Sequence, residues 1–556
     1  MAASNNTKKF PNVLFIHLPA LPFKFIQESF AGNAILSETL AMPLGILYLS
    51  SYLKKHNQVG QVGLLDYPLG MRNITDYADI KDYISGEAQK QVRFKPDIIC
   101  ISLMFSTSYP FFKLLAELLK TLWPEATIIV GGVHTTNCVE TILAVTKVDY
   151  VLRGEGEIAL SEIVRQYAED RPFRVRGLYS KDDINKSDNL ELAEPIENLD
   201  ILPFPDWDLL NMEKYCIALG RRRPTDEAAQ KRMAAIMTTR GCPFRCTFCS
   251  AHTVHGRRVR FRSTKNVIQE VKTLHQKYGV TLFIVEDDLF TADPARLLTV
   301  LHTIKALNIS GIEFQFPNNL HVNTTTEDVI DALIECGTKI FTFAVESGSE
   351  YVQKNIIKKN CNLEKARELV KMCHKKGVIA RCCFVIGFPG ETKELLQETY
   401  QYMKTLDADW NVISIATPLV GSEMYEQFLE RGDIKHDEDR WTKTFFVERD
   451  FDTEEISAEE LNEFRYKVNL DVNFINNVNL RNGNFDRAIS LFNDILRAYP
   501  FHIFAYYGLY LAYEGKKETE KAKEVFNKIH HLITTDGRAR DLYKKYGDFL
   551  PSHFAF

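Results

Sequence analysis

Three cysteines crowd into one short segment of the chain, RGCPFRCTFCS. Cys242, Cys246 and Cys249 are separated by three and then by two residues. Soft thiolates at close spacing on a short loop suit zinc or an iron-sulfur cluster. Three protein ligands leave one coordination position open. The segment therefore predicts a metal centre, with structural zinc and buried structural cysteines as the alternatives.

The first part of the chain must supply a scaffold, and its pattern indicates which kind. Apolar, β-rich runs alternate with helical patterns up to about residue 168. Near-continuous apolar strands separated by helix-length segments are typical of a parallel sheet covered on both faces, whose ligands bind beyond the carboxyl ends of the strands. Residues 10–170 are therefore predicted to form a five-stranded, doubly wound, Rossmann-like domain. The predicted strands are 13–18, 62–67, 97–103, 127–132 and 149–154.

A second alternating series carries the cysteine segment. Residues 171–230 are charged and lack sustained periodicity, which predicts a linker that packs against its neighbours. Six strand and helix units follow within 231–450, and this number favours a partial (β/α)6 barrel over a second open sheet. The cysteines come directly after its first strand. The predicted strands are 234–239, 281–287, 312–316, 339–346, 379–387 and 411–417.

The remaining residues, 451–556, are predicted to be helical. Ala488, Phe492 and Ile495 recur as Ala522, Phe526 and Ile529, a period of 34 residues that resembles the tetratricopeptide repeat. Two imperfect units are fewer than a free-standing solenoid needs. We expect them to pack on the barrel, although a surface that binds a protein partner is an alternative.

The cysteine segment resembles a known signature. CPFRCTFC at the end of a first barrel strand is similar to the motif of the radical S-adenosylmethionine enzymes. This resemblance implies that the three cysteines hold a [4Fe-4S] cluster whose fourth iron is chelated by S-adenosylmethionine. Phe248 would pack near the adenine. Such a cluster delivers the electron that cleaves the sulfonium and releases a 5′-deoxyadenosyl radical.

The resemblance extends to later strand ends. Glu286 and Asp287, with Asp288 as a further candidate, lie where the family contacts the amine of S-adenosylmethionine. Glu346 and Ser347 match the fourth-strand motif that binds the ribose, and Gly387 lies in the fifth-strand turn. A solvated acidic loop, a helix cap and a plain turn are the respective alternatives.

Upstream of such a barrel, the first domain resembles the cobalamin-binding domain of cobalamin-dependent radical enzymes. The similarity rests on AMPLGILYLSSYL (41–53), LLDYP (64–68), ISLMFSTS (101–108), IIVGGVHTT (128–136) and VLRGEGE (151–157), in that order. It implies hydroxyl contacts and close backbone approach to the corrin and its nucleotide tail. The implied contacts are Ser102, Ser106, Thr107, Gly131, Gly132, Gly154, Glu155 and Gly156. A doubly wound domain without a cofactor is the alternative.

The chain differs from many cobalamin-binding proteins in the residues expected below the cobalt. Proteins that ligate cobalt from below use an Asp-x-His-x-x-Gly loop, and none of the 14 histidines of this chain lies two residues after an aspartate. We therefore expect base-off cobalamin without a lower histidine. His17 and His134 are interpreted as structural or peripheral.

The combined resemblance implies a methyltransferase that acts on an unactivated carbon or phosphorus centre through a 5′-deoxyadenosyl radical and methylcobalamin. A cobalamin-binding radical enzyme that catalyses cyclisation, rearrangement or carbon-carbon coupling is one alternative. A cluster-bearing scaffold or sensor with a repeat-containing tail is another. An electron donor of the flavodoxin or ferredoxin type would be required.

The composition indicates which classes of binding partner and which cell compartment to expect. The 68 lysines and arginines are outnumbered by 73 acidic residues, giving a net charge of −5, which argues against nucleic acid as a partner. The N-terminus lacks the apolar core of a signal peptide, and no apolar run reaches the roughly 18 residues of a spanning helix. Eleven sparse cysteines indicate a reducing compartment. We expect a cytoplasmic protein.

Overall fold

The fold is taken from a computed structural model, which describes residues 10–30, 41–56, 59–184, 190–220, 231–442 and 446–554. These residues form two compact units. The first contains the described residues up to 220 together with 231–318 and 417–442, and the second contains 319–416 and 446–554. Within the described ranges, no helix combines the length and the apolar character that crossing a membrane would require.

Strands and helices alternate through most of the chain. The strands are β1 (Val13–His17), β2 (Val62–Asp66), β3 (Ile98–Ser102), β4 (Thr127–Gly131), β5 (Tyr150–Leu152), β6 (Leu178–Tyr179), β7 (Arg232–Ile236), β8 (Thr239–Arg240), β9 (Arg260–Phe261), β10 (Val280–Val285), β11 (Glu313–Gln315), β12 (Leu320–His321), β13 (Ile340–Glu346), β14 (Ile379–Ile386) and β15 (Trp410–Ile415).

The helices are numbered in the same way. They are α1 (Phe23–Phe30), α2 (Leu44–Lys55), α3 (Tyr67–Gly70), α4 (Ile80–Gln91), α5 (Tyr109–Leu122), α6 (Val133–Thr136), α7 (Val139–Val145), α8 (Glu157–Ala168), α9 (Lys181–Ile184), α10 (Met212–Gly220), α11 (His252–His255), α12 (Thr264–Tyr278), α13 (Pro294–Lys305), α14 (Glu327–Glu335), α15 (Leu363–Lys375), α16 (Lys393–Leu406), α17 (Glu423–Glu430), α18 (Glu438–Thr442), α19 (Ala458–Leu470), α20 (Val478–Arg481), α21 (Phe485–Ala498), α22 (Ile503–Gly515), α23 (Thr519–Thr535) and α24 (Gly537–Tyr546).

The first unit contains a six-stranded sheet in the order β2-β1-β3-β4-β5-β6. The first five strands in this order pair in parallel, and most of their apolar side chains are buried, as expected for a sheet covered on both faces. The prediction of five strands was wrong by one, because the two-residue β6 pairs antiparallel with β5 at the sheet edge. So short a strand leaves no alternating pattern in the sequence.

The order of this sheet reverses at β1, which lies between β2 and β3. Such a reversal is a topological switch point, and ligands of open parallel sheets bind in the crevice at the carboxyl ends of the strands beside it. His17 ends β1 and pairs in register with Ser102, the last residue of β3, which in turn pairs with Gly131 of β4. The predicted cofactor residues of this domain therefore lie along the edge where a ligand is expected.

The cysteine segment belongs to the first unit. Strands β7, β10 and β11 form a parallel sheet in the order β11-β10-β7. Just after β7, the short strands β8 and β9 pair antiparallel, Thr239 with Phe261 and Arg240 with Arg260. Residues 241–259, called the cluster loop below, are thereby closed at their base.

The second unit contains the parallel sheet β12-β13-β14-β15 and the C-terminal helices. Helices α14, α15 and α16 are preceded by the N-cap residues Thr326, Asn362 and Thr392, whose side chains each accept a hydrogen bond from the backbone N–H three residues on. The two-residue β12 was not predicted, again because of its length.

The C-terminal helices pack on the exposed edge of this sheet. Asn411 of β15 donates its N–H to Asn473 Oδ1 at 2.8 Å, and Asn473 Nδ2 donates to the Asn411 carbonyl at 2.8 Å. The amide of Asn473 thus replaces a neighbouring strand and satisfies both backbone groups of an edge position. The repeated apolar residues lie on α21 and α23, and the tetratricopeptide-like repeat itself stays a prediction.

Replacing Asn473 with alanine should loosen this packing. The variant leaves the buried N–H and C=O of Asn411 without their partner, which should lower the free energy of unfolding by about 2 kcal/mol. Urea titration read by limited proteolysis of the C-terminal helices measures the change. The Asn484→Ala variant, at an exposed position, is the control and should behave as wild type. Equal stability of the two variants would contradict this account of the contact.

Candidate functional site

The cluster loop carries the three predicted ligands, and all of them are partly exposed. The Cys249 N–H donates to the Cys246 carbonyl at 3.2 Å, so these two cysteines share one turn. Phe248 lies between them and is half-buried. The structure thus places three thiols on one loop within reach of solvent, where cofactors could enter.

The donor set fits a cluster better than a single ion. Among the described residues, no three His, Cys, Asp or Glu side chains form a group that could hold one metal ion. A [4Fe-4S] cluster needs no such convergence, because each thiolate ligates a different iron. The nearby histidines are engaged elsewhere: His252 Nδ1 lies 3.1 Å from the Cys249 carbonyl and His255 Nδ1 lies 2.8 Å from Asp288 Oδ2.

The acidic residues that follow β10 have separate tasks. Asp287 is buried and accepts hydrogen bonds from the Thr238 N–H at 2.6 Å, from the Thr238 hydroxyl at 2.6 Å and from the Thr239 hydroxyl at 3.0 Å. Burial raises the pKa of Asp287 to about 6, although these hydrogen bonds oppose the shift. Asp287 therefore holds the chain between β7 and the cluster loop.

Asp288 holds the loop itself. Its Oδ2 accepts the Gly241 N–H at 2.8 Å and lies 2.8 Å from His255 Nδ1. Gly241 begins the loop and His255 lies in α11, beyond the third cysteine. Burial alone would raise the pKa of Asp288, but the His255 hydrogen bond and charge keep it below its usual value. One carboxylate thus joins the two arms of the loop.

Glu286 is the remaining acid of the three. Its carboxylate makes no hydrogen bond with any residue that the structure describes, while its backbone N–H donates to the Ile236 carbonyl at 2.9 Å. Burial, followed by repulsion from Asp287, raises its pKa to about 7. Of the acids predicted to contact the amine of S-adenosylmethionine, Glu286 is the one with both carboxylate oxygens left to do so.

The cluster loop also contacts the six-stranded-sheet domain directly. Asn137 Nδ2, just after α6, donates to the Thr253 hydroxyl at 3.0 Å. Glu155, in the turn between β5 and α8, accepts from Arg240 Nη1 at 3.1 Å and from Arg260 Nη1 at 3.0 Å. The turns after β4 and β5 therefore touch the loop that carries the thiols.

The hydroxyls predicted to bind cobalamin differ in their availability. Ser102 is half-buried at the end of β3, and its hydroxyl makes no hydrogen bond to the described part of the chain. Ser106 Oγ lies 2.9 Å from His134 Nδ1, and the Thr107 hydroxyl donates to the Ala20 carbonyl at 3.4 Å. Ser102 is thus the hydroxyl best placed for a ligand at the switch point.

The predicted glycines lie in the turns at the same edge. Gly132 has φ +118°, and a Cβ there would lie 2.4 Å from the Leu103 carbonyl oxygen, so close approach of the β3 loop requires glycine. At Gly131 a Cβ would meet only the Leu152 carbonyl at 3.5 Å. Gly154 and Gly156 flank Glu155, and the Gly154 N–H donates to the Thr136 hydroxyl at 3.1 Å. Their contacts with a corrin stay predictions.

The second unit holds the predicted ribose contacts. Glu346 ends β13 and is buried, with its Oε1 2.7 Å from Lys359 Nζ. It has φ +72°, and Lys358 and Asn360 beside Lys359 also have positive φ. Strained backbone of this kind is concentrated at functional sites. Ser347 instead pairs with the Thr399 hydroxyl at 2.8 Å, in a fully buried position.

Gly387 has a packing role in the same unit. It has φ +84°, and a Cβ there would lie 2.5 Å from a methyl carbon of Leu461 in α19. Glu391 Oε2 accepts the Gly387 N–H at 2.6 Å and the Phe388 N–H at 3.1 Å, so it fixes this turn. Burial raises the pKa of Glu391 to about 7.

Sequence reasoning missed several of these residues. Arg240 lies two residues before the first cysteine and Arg260 eleven residues after the third, and that proximity was the signal available. Lys359 and Glu391 carried no such signal, because their partners follow from the tertiary structure. Lys359 lies beside Glu346, and Glu391 lies beside Gly387.

The state of Glu286 gives a testable pH dependence. A carboxylate attracts the ammonium group of S-adenosylmethionine and its protonated form does not, so affinity should fall as the pH drops from 8 to 6, through the pKa of about 7. Glu286→Gln should bind about tenfold more weakly at pH 8, since hydrogen bonds to charged groups contribute about 1.5–3 kcal/mol.

Isothermal titration of the cluster-loaded protein at pH 6, 7 and 8 measures this. The exposed Glu327→Gln is the matched control and should keep the wild-type profile. A wild-type pH profile in Glu286→Gln would assign the titration to another group.

Comparison with known proteins gives two family matches in the expected order. The model described as "B12 binding domain" matches residues 34–164, and the model described as "Radical SAM superfamily" matches residues 236–403. The first range contains the switch-point edge, and the second contains the cluster loop and the predicted ribose contacts. Both predicted resemblances are therefore confirmed.

Relatives match over most of their length. The chain is 32% identical over 390 residues to "Uncharacterized methyltransferase PH0819" of Pyrococcus horikoshii, covering 70% of this chain and 78% of that protein. It is 28% identical over 440 residues to the "Cytidylyl-2-hydroxyethylphosphonate methyltransferase" of Streptomyces wedmorensis, covering 72% of this chain and 80% of that protein.

Solved structures share the fold. TsrM of Kitasatospora setae, a radical S-adenosylmethionine methyltransferase solved with cobalamin and a [4Fe-4S] cluster, aligns with a TM-score of 0.58 and 16% identity, over 76% of this chain and 75% of that one. The cobalamin-dependent radical enzyme OxsB aligns with a TM-score of 0.62 and 16% identity, over 97% and 81%. The predicted fold class, a doubly wound domain, a partial barrel and a helical tail, is confirmed. The chain belongs to the cobalamin-dependent radical S-adenosylmethionine enzymes.

Proposed function

We propose that the protein transfers a methyl group from S-adenosylmethionine, by way of cobalamin, to an unactivated carbon or phosphorus centre. The reaction requires two cofactors that reach one substrate. The observation that carries the proposal is the direct contact between the cluster loop and the carboxyl edge of the cobalamin-binding domain, at Asn137–Thr253 and at Glu155 with its two arginines. The similarity to two methyltransferases supports it.

The residues of the chain would bind and orient the cofactors. Cys242, Cys246 and Cys249 would hold the cluster, and Glu286 would hold the amine of S-adenosylmethionine. When bound, the cluster, S-adenosylmethionine and cobalamin supply a 5′-deoxyadenosyl radical and a transferable methyl group. Glu346, held in place by its contact with Lys359, would accept hydrogen bonds from the ribose hydroxyls.

Cobalamin would bind base-off without a protein ligand below the cobalt. Two histidines lie near the switch point, and the Nδ1 atom of each has a polar partner. His17 Nδ1 lies 3.3 Å from Asp66 Oδ1. His134 is buried, its Nδ1 lies 2.9 Å from Ser106 Oγ, and burial lowers its pKa to about 3. Their roles are therefore structural, as the absence of an Asp-x-His-x-x-Gly loop suggests.

The EPR spectrum of the protein loaded with cob(II)alamin tests this binding mode. A nitrogen ligand would split each cobalt hyperfine line into three, and we expect no such splitting. His17→Ala and His134→Ala should give the wild-type spectrum. A nitrogen splitting that one of these substitutions abolishes would identify that histidine as the lower ligand and overturn the proposal.

Turnover would need an external reductant. We expect a flavodoxin or ferredoxin type of donor, because the cluster must be reduced before it can cleave S-adenosylmethionine. Eleven cysteines in 556 residues are too sparse for a disulfide framework, which fits a reducing compartment, and we propose the cytoplasm. The C-terminal helices pack on the barrel sheet and could also offer a surface to a protein partner.

Isotope labelling tests the reaction. The reconstituted protein, incubated with reductant, cobalamin and S-adenosylmethionine carrying a CD3 group, should transfer the CD3 group to the cobalamin recovered from the protein. With a substrate, the product mass should rise by one CD3 in place of one hydrogen. A product that has lost hydrogen only would indicate cyclisation or coupling. The triple variant with alanine at all three cluster cysteines should form no 5′-deoxyadenosine, and formation of this product by that variant would contradict the assignment.

A further inference from the structure

Glu155 lies at a junction between the two cofactor sites. Its side chain is almost fully buried in the turn after β5, in the first unit. One oxygen, Oε2, accepts from Arg240 Nη1 at 3.1 Å, from Arg260 Nη1 at 3.0 Å and from the Ile196 N–H at 3.1 Å. The other, Oε1, pairs with Arg260 Nη2. The carboxylate is fully used by these partners.

The two arginines stand at the two ends of the cluster loop. Arg240 precedes the loop and Arg260 follows it, and they face each other in the β8–β9 ladder. Glu157, in the first turn of α8, accepts from Arg240 Nη2 at 2.7 Å. The base of the loop that carries the thiols is therefore clamped by two acids of the cobalamin-binding domain.

The four charges balance, and none is solvated. Each of the four side chains is at most 6% exposed. Removing one member of such a buried network leaves an uncompensated charge, which is strongly unfavourable. Burial would raise the pKa of Glu155, but the Arg260 hydrogen bond and the nearby positive charges keep it below its usual value. The arginines thus favour the carboxylate form of Glu155.

The same turn also reaches the cofactor edge of the sheet domain. Gly154, beside Glu155, donates its N–H to the hydroxyl of Thr136, the last residue of α6. The next residue, Asn137, binds Thr253 of the cluster loop. The turns after β4 and β5 are therefore tied to each other and to the loop by hydrogen bonds within one unit.

We propose that Glu155 is a positioning residue that couples the two cofactor sites: cobalamin bound at the sheet edge orders the turn of residues 154–156, and this turn, through Arg240 and Arg260, holds the cluster loop in its ligating shape. By linkage, cluster loading must then strengthen cobalamin binding by the same factor. The inference rests on the proposed function for the identity of the two ligands. Glu155 would thus hold the base of the cluster loop and would not contact the corrin.

The test is a comparison of cobalamin affinities. Absorbance titration with hydroxocobalamin under anaerobic conditions gives Kd for the cluster-loaded protein and for the variant with alanine at the three cluster cysteines. In the wild-type background we expect cobalamin to bind about tenfold more tightly when the cluster is present, within the usual range of such couplings. In the Glu155→Gln background this ratio should fall to about one.

Controls separate coupling from loss of stability. Glu162→Gln, on α8, removes an acid whose ion pair with Arg165 is on the surface, and it should keep the wild-type ratio. If Glu155→Gln does not fold, Arg260→Lys keeps the charge but removes the bidentate contact, and its ratio should fall below half of the wild-type value. A merely structural role would lower the melting temperature and leave the ratio unchanged.

The outcomes are distinct for the inference and for the proposed function. A wild-type ratio near one, or a ratio that Glu155→Gln or Arg260→Lys leaves unchanged, would overturn the inference while cobalamin still binds. Failure of the cluster-loaded wild type to bind cobalamin at all would instead overturn the proposed function.

Discussion

Bringing three thiols of one loop to a cluster costs less conformational entropy when the two ends of the loop are already fixed, and in this protein buried charges fix them. Residues 241–259 include one short helix, and their base is a two-residue ladder. A ladder of that length has little stability of its own. The buried carboxylates of Glu155 and Glu157 supply part of the rest by pairing with arginines at the ends of the loop. The partly buried carboxylate of Asp288 adds a hydrogen bond from the Gly241 N–H.

The three consecutive acids after β10 show how neighbouring residues of similar chemistry acquire different roles. Successive side chains of an extended segment point in different directions and meet different partners. Both carboxylate oxygens of Asp287 accept hydrogen bonds from Thr238 and Thr239, and the Oδ2 atom of Asp288 accepts a hydrogen bond from the cluster loop. The carboxylate oxygens of Glu286 accept no hydrogen bond from the described residues. Burial, followed by repulsion from Asp287, raises the pKa of Glu286 to about 7. Such a group is suited to meet a cation brought by a ligand.

In the second unit, a buried ion pair again holds a predicted site residue in place. Glu346 and Lys359 are both buried, and the backbone on either side of the lysine adopts positive φ to bring them together. On the far edge of the same sheet, Asn473 closes β15 with two hydrogen bonds from a side chain. Edge strands are open to unwanted pairing, and the C-terminal helices cover this one.

The sequence by itself determined what depends on local pattern. The strands followed from runs of apolar residues, and the prediction of a metal centre from three cysteines within eight positions. Only the tertiary structure decided which polar side chains form hydrogen bonds or ion pairs within the protein and which are available to a ligand. Glu155 and Arg260 are 105 residues apart, and Glu155 and Arg240 are 85 apart, so no local pattern links them. The two-residue strands β6 and β12 were missed for a related reason: so short a segment becomes a strand through the partner beside it, and its own periodicity carries no signal.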